Sequence, residues 1–403
     1  MSTSLLYHAF DIRGYQYVKS RYQGGAVIFK IRQEHEELRC PVCGARKVIR
    51  RGQVERRFRT KPIGKTPVWI ALAVQRVFCL LCGALRQVKV KFAHERRSYT
   101  KAFARYALEL SRHMTIKDVA WHLNVSWDVI KDIQKRYLQK RFAHPKLKKL
   151  QQIAIDEIAI GKGHRYLTIV LDLNSGAVVY VGNGKGAEAL EPFWRMLNRS
   201  QAKIKAVATD MSPAYIHAVI TNLPGSALVF DHFHIIKLFN DKLSELRRQL
   251  YHEADRMQMQ VLKGTRWLLL KNPENLDKSR KEHERLEEAL RLNQPLATAY
   301  YLKEDLRQLW EQPDKDAATA FLQDWIARAQ SSGIGILIKI AKTLALYRTG
   351  ILAYYDYPIS TGPLEGTNNK IKTMKRQAYG FRDLEFFKLK ILALHETKYA
   401  LVG

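Results

Sequence analysis

No stretch of the 403-residue chain approaches the ~20 consecutive apolar residues that a membrane-spanning helix needs, which excludes an integral α-helical membrane protein. The start, MSTSLLYHAFDIRG, lacks the charged-then-apolar order of a secretory signal. There is neither a lipidation motif nor a basic amphipathic helix of the membrane-surface kind. No internal repeat or low-complexity tract stands out. The expectation is a cytoplasmic protein, associated with the nucleoid if it is bacterial and binds DNA. Acids are scarce, 38 Asp and Glu against 68 Lys and Arg, and cysteines scarcer, with four in all. Hydrophobic residues at 46% nonetheless suffice to fill cores. At ~100 to 200 residues per domain the length calls for two or three domains.

The excess positive charge is concentrated. Residues 1–150 carry a net +23 of the +30, leaving +7 for residues 151–403. Solvated faces ordinarily mix both signs, so a one-sided field of this kind is the footprint of a polyanion. Double-stranded DNA is the expected partner, with no small-molecule substrate.

All four cysteines fall in two knuckles, Cys40 and Cys43 in CPVCG and Cys79 and Cys82 in CLLCG. Each glycine permits the tight turn, and two knuckles supply the four thiolates of a closed tetrahedral Zn²⁺ site. A redox pair needs only one C-x-x-C, and a reducing cytosol disfavours disulfides. Between the knuckles VERRFRT and VWIALAVQRVF read as strands of a ribbon. Three helical segments follow in SYTKAFARYALELSRHM, TIKDVAWHLNV and SWDVIKDIQKRYLQKRF. They suggest a helix-turn-helix in which Thr115 and Ser126 cap, Val119, Ala120 and Leu123 face inward, and Asn124 with Val125 turns the chain. On its second helix Trp127, Asp128 and Lys131 are positioned for base edges, and Lys135, Arg136, Lys140 and Arg141 for phosphates. A plain helical hairpin is the competing reading. HPKLKKL reads as a basic linker.

From residue 151 the pattern changes to strands, IAIDEIAI, RYLTIVLDL and AVVYVGNG, with Asn174-Ser175-Gly176 as a hairpin turn. Helix and strand then alternate through EALEPFWRMLNRS, IKAVATD, a helix opened by Ser212-Pro213, SALVFD and HIIKLFN. Three antiparallel strands followed by alternating helix and strand is the order of a ribonuclease H-like fold. Residues 240–330 carry no strand signal and read as an all-helical insertion, after which the domain resumes. The expected organisation is an α/β multidomain chain: 1–95 β-rich zinc ribbon, 96–150 helix-turn-helix and linker, 151–239 catalytic domain, 240–330 helical insertion, 331–403 catalytic domain completed.

Asp156 and Asp210 each end an apolar strand, where an ionised carboxylate is costly without a partner. The first and fourth strands of that topology are neighbours, so both acids emerge at one edge, where a divalent cation is a fitting partner. Glu365 in STGPLEGTNNKIK can supply a third carboxylate from a helix with Pro363 near its first position. Residues three to four apart share a helical face, so Glu365, Asn368 or Asn369, Lys372 and Arg376 form one stripe. Carboxylates without thiols suit Mg²⁺ or Mn²⁺, and two such ions suit phosphodiester chemistry. A strand-end cap or turn residue is the plainer reading of each acid. In DHFH, His232 and His234 either serve the chemistry or hydrogen-bond within the fold; His164, His217, Asp172 and Glu157 lack ligand spacing or alternate away from the site.

Together CPVCG, CLLCG, IAIDEIAI, ATDMSPAY, VFDHFHIIKLFN and GPLEGTNNKIKTMKRQAYGFRD resemble the ISL3 family of insertion-sequence transposases over nearly the whole chain. The resemblance implies a ribonuclease H-like DDE domain acting on terminal inverted repeats, with Asp156, Asp210 and Glu365 as the triad and Asp231 with His234 as an adjacent D-x-x-H motif. Synapsis of two ends and capture of target DNA then imply a homodimer or larger assembly. Two rival readings are a catalytically silent regulator derived from a transposase and a metal-dependent DNA nuclease that cuts without joining.

Overall fold

A computed structural model describes residues 4–399 and 402, which divide into two compact units, Met1–Arg141 and Phe142–Gly403. Residues 1–3, 400, 401 and 403, the outer ends of the expected first and last segments, lie outside the described residues.

The first unit opens with α1 (Leu5–Phe10) and the strands β1 (Gln16–Gln23), β2 (Ala26–Arg32), β3 (Val48–Ile63), β4 (Thr66–Cys79) and β5 (Leu85–Gln87). They form a sheet ordered β1-β2-β4-β3, with β5 paired to the end of β4. The two strands expected between the knuckles are β3 and β4, paired antiparallel with Val54 opposite Val74 and Phe58 opposite Ile70. Phe58, Ile70, Leu72 and Val77 bury one face of this ribbon against Leu6 and Phe10 of α1. Three helices follow, α2 (Lys101–Leu110), α3 (Ile116–His122) and α4 (Trp127–Phe142). Thr115 caps α3 by accepting from the Asp118 amide, Asn124 takes the left-handed turn at φ 49°, and Val119, Ala120 and Leu123 are buried as expected.

Side chains bridge the expected ribbon and helix-turn-helix segments. Arg59 of β3, 4% exposed, donates to the Leu123 carbonyl at 2.9 Å, while Thr100 at the start of α2 bonds the Thr60 hydroxyl at 3.1 Å. A buried guanidinium needs such acceptors, so the ribbon and the helices share one framework. HPKLKKL is likewise not a free linker: Leu147 and Leu150 are buried in the core of the second unit.

That second unit is built on β6 (Gln152–Gly161), β7 (Arg165–Asp172), β8 (Val178–Asn183), β9 (Ala206–Thr209) and β10 (Ala227–Phe230), in the order β10-β9-β6-β7-β8. β6, β7 and β8 are antiparallel; β9 and β10 run parallel to β6. Side chains alternate across the sheet. Ile153 and Ile155 pack with Phe193 of α5 (Glu191–Ser200) and Tyr215 of α6 (Pro213–Asn222). Ala154 and Ile158 belong to a different core, with Leu364, Ile371 and Phe387.

α7 (His232–Glu253) leaves the end of β10, followed by α8 (Arg256–Leu262), α9 (Arg266–Leu270), α10 (Glu282–Leu292), α11 (Gln294–Arg307), α12 (Lys315–Ser331) and α13 (Gly335–Leu352). Helices run across both ends of the expected 240–330 segment or pack onto its core. α7 crosses residue 240 without a break, because Ile235, Phe239, Leu243 and Leu246 continue one buried stripe. α13 joins the same helical core, and Gly350 lets it lie against Phe230, whose ring is 2.4 Å from where a β-carbon would stand.

The chain returns to the sheet as α14 (Gly362–Gln377) and α15 (Leu384–Leu392), with α16 (Glu396–Tyr399) last. α14 ends with Tyr379 left-handed at φ 51°, a conformation that costs a residue with a β-carbon roughly 1–2 kcal/mol.

Candidate active site and metal site

The cysteine knuckles are held by their own backbones. Gly44 and Gly83 take positive φ, their amides donate to the Cys40 and Cys79 carbonyls at 3.0 Å, and Val42 N–H donates to Cys40 Sγ at 3.4 Å. All four Sγ atoms lie within 4.8 Å of one another, with Cys40 to Cys82 at 3.6 Å and Cys43 to Cys79 at 3.5 Å. Sulfurs bound ~2.3 Å from a tetrahedral Zn²⁺ are separated by ~3.8 Å, so the spacing fits. The charges point the same way. Hydrogen bonding from the Cys43 amide brings the Cys40 thiol down to about 6, while Cys82, despite an amide bond at Ala84, is pushed up to about 12 by its thiol neighbours, Cys43 first. Crowded thiolates of this sort are what a dication relieves.

The carboxylates are arranged differently. β6 and β9 pair in parallel with Ala154 opposite Ala208, and continuing that register sets Asp156 level with Asp210 at one edge of the sheet. Burial pushes the Asp156 carboxyl up to about 6; the Glu157 amide and His234 oppose the rise, and the charges of Glu157 and Asp210 add to it. Asp210 accepts from the Ser212 amide at 3.0 Å, just before α6 begins. His234, half-buried on the first turn of α7, is near enough to favour the charged forms of both Asp156 and Glu157. Glu157 alternates to the α6 side, where Tyr215 hydrogen-bonds it, as its parity requires. It is not isolated, however: burial raises its pKa first and Asp210 second.

α14 brings the third element. Asn368, 5% exposed, donates from Nδ2 to Asp156 Oδ2 at 2.9 Å, and its own Oδ1 is buried without a partner. Glu365, one turn earlier, is exposed together with Asn369, Lys372 and Arg376. The expected stripe runs through Asn369 rather than Asn368: Glu365, Asn369, Lys372 and Arg376 are exposed, while Asn368 faces Asp156 and is buried with Leu364 and Ile371. Among the described residues the four cysteines are the one set of three or more ligating side chains whose donor atoms all come together; Asp156, Asp210 and Glu365 do not.

Asp231 is committed elsewhere. Only 2% exposed, it caps α7 by accepting from the Phe233 amide at 2.9 Å, and its other oxygen accepts from the Thr361 amide at 2.9 Å and from the Thr361 hydroxyl. Thr361 precedes α14, so Asp231 ties the start of the Glu365 helix to the end of β10. Thr361 and Tyr215 escaped the sequence reading. Pairing between residues 130 positions apart leaves no local pattern. His232 lies beside Asp231 and the Trp310 ring, His164 sits in the left-handed turn between β6 and β7, and Asp172 accepts from the Asn174 and Ser175 amides in the β7–β8 turn.

On the helix-turn-helix, Trp121 and Trp127 are 83% and 53% exposed, and Lys131 stands 5.6 Å over the Trp127 ring. Lys135 and Arg136 are half-buried and Lys140 and Arg141 exposed along α4. Asp132 on the same helix is taken inward by Arg97 at 3.0 Å and the Tyr99 hydroxyl at 2.9 Å, which leaves the outer surface of α4 predominantly basic.

The comparisons follow this layout. Residues 36–82 match a zinc-finger of transposase IS204/IS1001/IS1096/IS1165, residues 88–138 the helix-turn-helix domain of transposase family ISL3, and residues 153–391 the DDE transposase domain of ISL3. The chain is 34% identical to the transposase for insertion sequence element IS1001 of Bordetella parapertussis, over 88% of either chain. It is 28% identical to the transposase for IS1557 of Mycobacterium tuberculosis, over 89% of this chain and 86% of the relative. A weaker likeness is to the Drosophila P element transposase strand transfer complex, at 13% identity and a TM-score of 0.33, covering 63% of this chain and 79% of that one. The chain belongs to the ISL3 family of DDE transposases.

Proposed function

We propose that the chain binds the terminal inverted repeats of an insertion sequence and, as a dimer or larger assembly, cuts and joins DNA there through a ribonuclease H-like domain. The observation that carries this reading is the placement of Asp156, within β6, level with Asp210, the residue after β9, in the parallel β6–β9 register, with Asp156 met by Asn368 of the helix that also bears Glu365. The strand order, three antiparallel strands with two parallel ones beside the first, supports the ribonuclease H-like assignment.

Asp156, Asp210 and Glu365 are the residues that hold divalent ions, Mg²⁺ or Mn²⁺ by their all-oxygen donor set. Such ions, when bound, supply the Lewis acidity that activates a water or a 3′-hydroxyl and stabilises the leaving oxygen. The protein's part is orientation. Asn368 fixes the Asp156 carboxylate, Asp231 fixes the start of α14 through Thr361, and His234 favours the ionised form of Asp156. Lys372 and Arg376, exposed on α14, contact phosphates of the strand being cut. In the first unit Zn²⁺ on Cys40, Cys43, Cys79 and Cys82 holds the ribbon, Trp127 and Lys131 read base edges, and Lys135, Arg136 and Lys140 contact phosphates. No helix among the described residues is long and apolar enough to cross a membrane, and DNA is the substrate.

Purified protein mixed with a plasmid carrying the element's two ends, with Mg²⁺ or Mn²⁺, tests this directly. Cleavage at the ends followed by joining is the expected result. Binding without cleavage would make the chain a regulator, and cleavage without joining a nuclease.

A further inference from the structure

Among the described residues Tyr379 is the most exposed aromatic side chain. Its side chain is 101% exposed, and among the described residues it makes no hydrogen bond and no ring contact. Yet its backbone is fully determined. α14 closes with Gly380 N–H donating to the Lys375 carbonyl at 2.9 Å and Tyr379 N–H to the Arg376 carbonyl at 3.0 Å, the paired bonds of a Schellman cap. In that cap the left-handed seat ordinarily goes to glycine, since a β-carbon crowds the next carbonyl there. Here the glycine comes one residue later, Gly380 at φ 96°, and the strained seat holds a tyrosine. Beyond it the chain is anchored again: Phe381 stacks on Phe387 at 4.5 Å, and Asp383 caps α15 through the Phe386 amide at 3.0 Å. A rigid ring is thus held out into solvent at the expense of backbone strain, and strain of that kind points to a task outside the fold.

The surroundings state the chemistry of the partner. Lys372 and Arg376 on α14, seven and three residues before Tyr379, and Arg382, three residues after it, are exposed cations of the same turn and helix end. An apolar protein partner would not favour such a cationic rim, whereas single-stranded nucleic acid presents both a π-face and phosphates. Bases inside a duplex are already stacked, so the base that a protruding ring can reach is an unpaired or terminal one. We propose that Tyr379 stacks on an unpaired nucleobase of the DNA end, with Arg376 and Arg382 holding its phosphates. The inference rests on the reading of the chain as a transposase that cuts DNA.

The test uses the full chain and two DNA probes, a blunt duplex and the same duplex with a short single-stranded overhang containing 2-aminopurine. Wild-type protein should bind the overhang probe about 5-fold or more tightly than the blunt one and change its 2-aminopurine fluorescence, as a single base–aromatic stack allows. Tyr379→Phe and Tyr379→Trp should keep both effects. Tyr379→Gly should lose both while binding blunt duplex as wild type does. Because glycine relieves the left-handed strain, this variant should melt at the same temperature or higher, so its loss cannot be unfolding. The proposal is overturned if Tyr379→Gly keeps the preference and the fluorescence change, or if it weakens binding to both probes equally. It is also overturned if the variant changes only self-association, which would make the ring a protein contact. A wild-type chain that binds neither probe would instead remove the DNA-cutting reading on which the inference rests.

Discussion

The two constellations proposed to bind metal are built on opposite plans. The four thiols are already gathered, each knuckle fixed by its own glycine turn and amide bonds, whereas the three carboxylates are held apart by the protein. Asp156 is tied to Asn368, Asp210 to the Ser212 amide, and Glu365 stands exposed one turn from Asn368. A closed site excludes water and serves folding; an open one keeps room for a substrate. The difference teaches that the cysteine cluster is specified by local sequence, and the proposed catalytic centre by long-range packing.

The largest effect should come from removing the structural metal. Chelation of Zn²⁺, or Cys82→Ser, should unfold the first unit, since zinc binding to small knuckle modules is worth about 10–16 kcal/mol. Metal analysis and limited proteolysis will show whether the second unit stays intact, as the comparison demands; a ribbon that remains protected without zinc would break the distinction.

Next in size is the catalytic centre. Asp156→Asn, Asp210→Asn and Glu365→Gln should each lower cleavage by roughly three orders of magnitude, on the scale of removing a preorganised charge from a transition state, with the fold intact and end binding nearly unchanged. If Glu365→Gln joins DNA at the wild-type rate while Asp231→Asn does not, the third ligand is Asp231.

A smaller effect separates ligand from support. Asp231→Ala removes a helix cap and orphans the Thr361 amide, so denaturant unfolding should report a loss of about 2–4 kcal/mol. Thr361→Val should reproduce part of the loss in cleavage if Asp231 acts through α14, and none of it if Asp231 binds metal.

The smallest effect sharpens the view that the acids carry electrostatic strain. With no divalent ion present, Asp156 has a folded pKa raised to about 6, above its unfolded value of 3.8. The folded state therefore holds the proton more tightly, and stability falls as pH rises between those values. Above pH 6 the deficit is complete, at roughly 1–3 kcal/mol, and below pH 3.8 it vanishes. Asp156→Asn should accordingly raise the melting temperature at pH 7.5 and leave it unchanged near pH 4. Equal melting curves at both pH values would count against a strained carboxylate.

How much of this was legible in the residues follows the same division. The knuckles, the Thr115 cap, the Asn124 turn and the sheet order were readable because each depends on spacing within a few residues or on strand periodicity. The parity that sends Glu157 to the face opposite Asp156 was readable too, but its electrostatic link to Asp210 was not, because it crosses between strands. The role of Asn368 was half visible: the helical period grouped it with Glu365, Lys372 and Arg376, but only packing turned it inward to Asp156. Continuity across segments was not legible where a buried stripe runs on, as along α7, or where one side chain bridges segments, as Arg59 does.

The unbroken course of α7 also limits how the molecule can be re-engineered. Its first residue follows the Asp231 cap beside the acids, and over its 22 residues it carries Ile235, Phe239, Leu243 and Leu246 into the helical core. A shuffled or minimised transposase that trims residues 240–330 as a cassette would shear this helix in its second or third turn and strip Phe239 of the layer beneath it. Any viable graft has to leave the helix whole, with its seams placed after Glu253 and before α13, so the exchangeable segment, residues 254–334, is shorter than the insertion appears in the sequence.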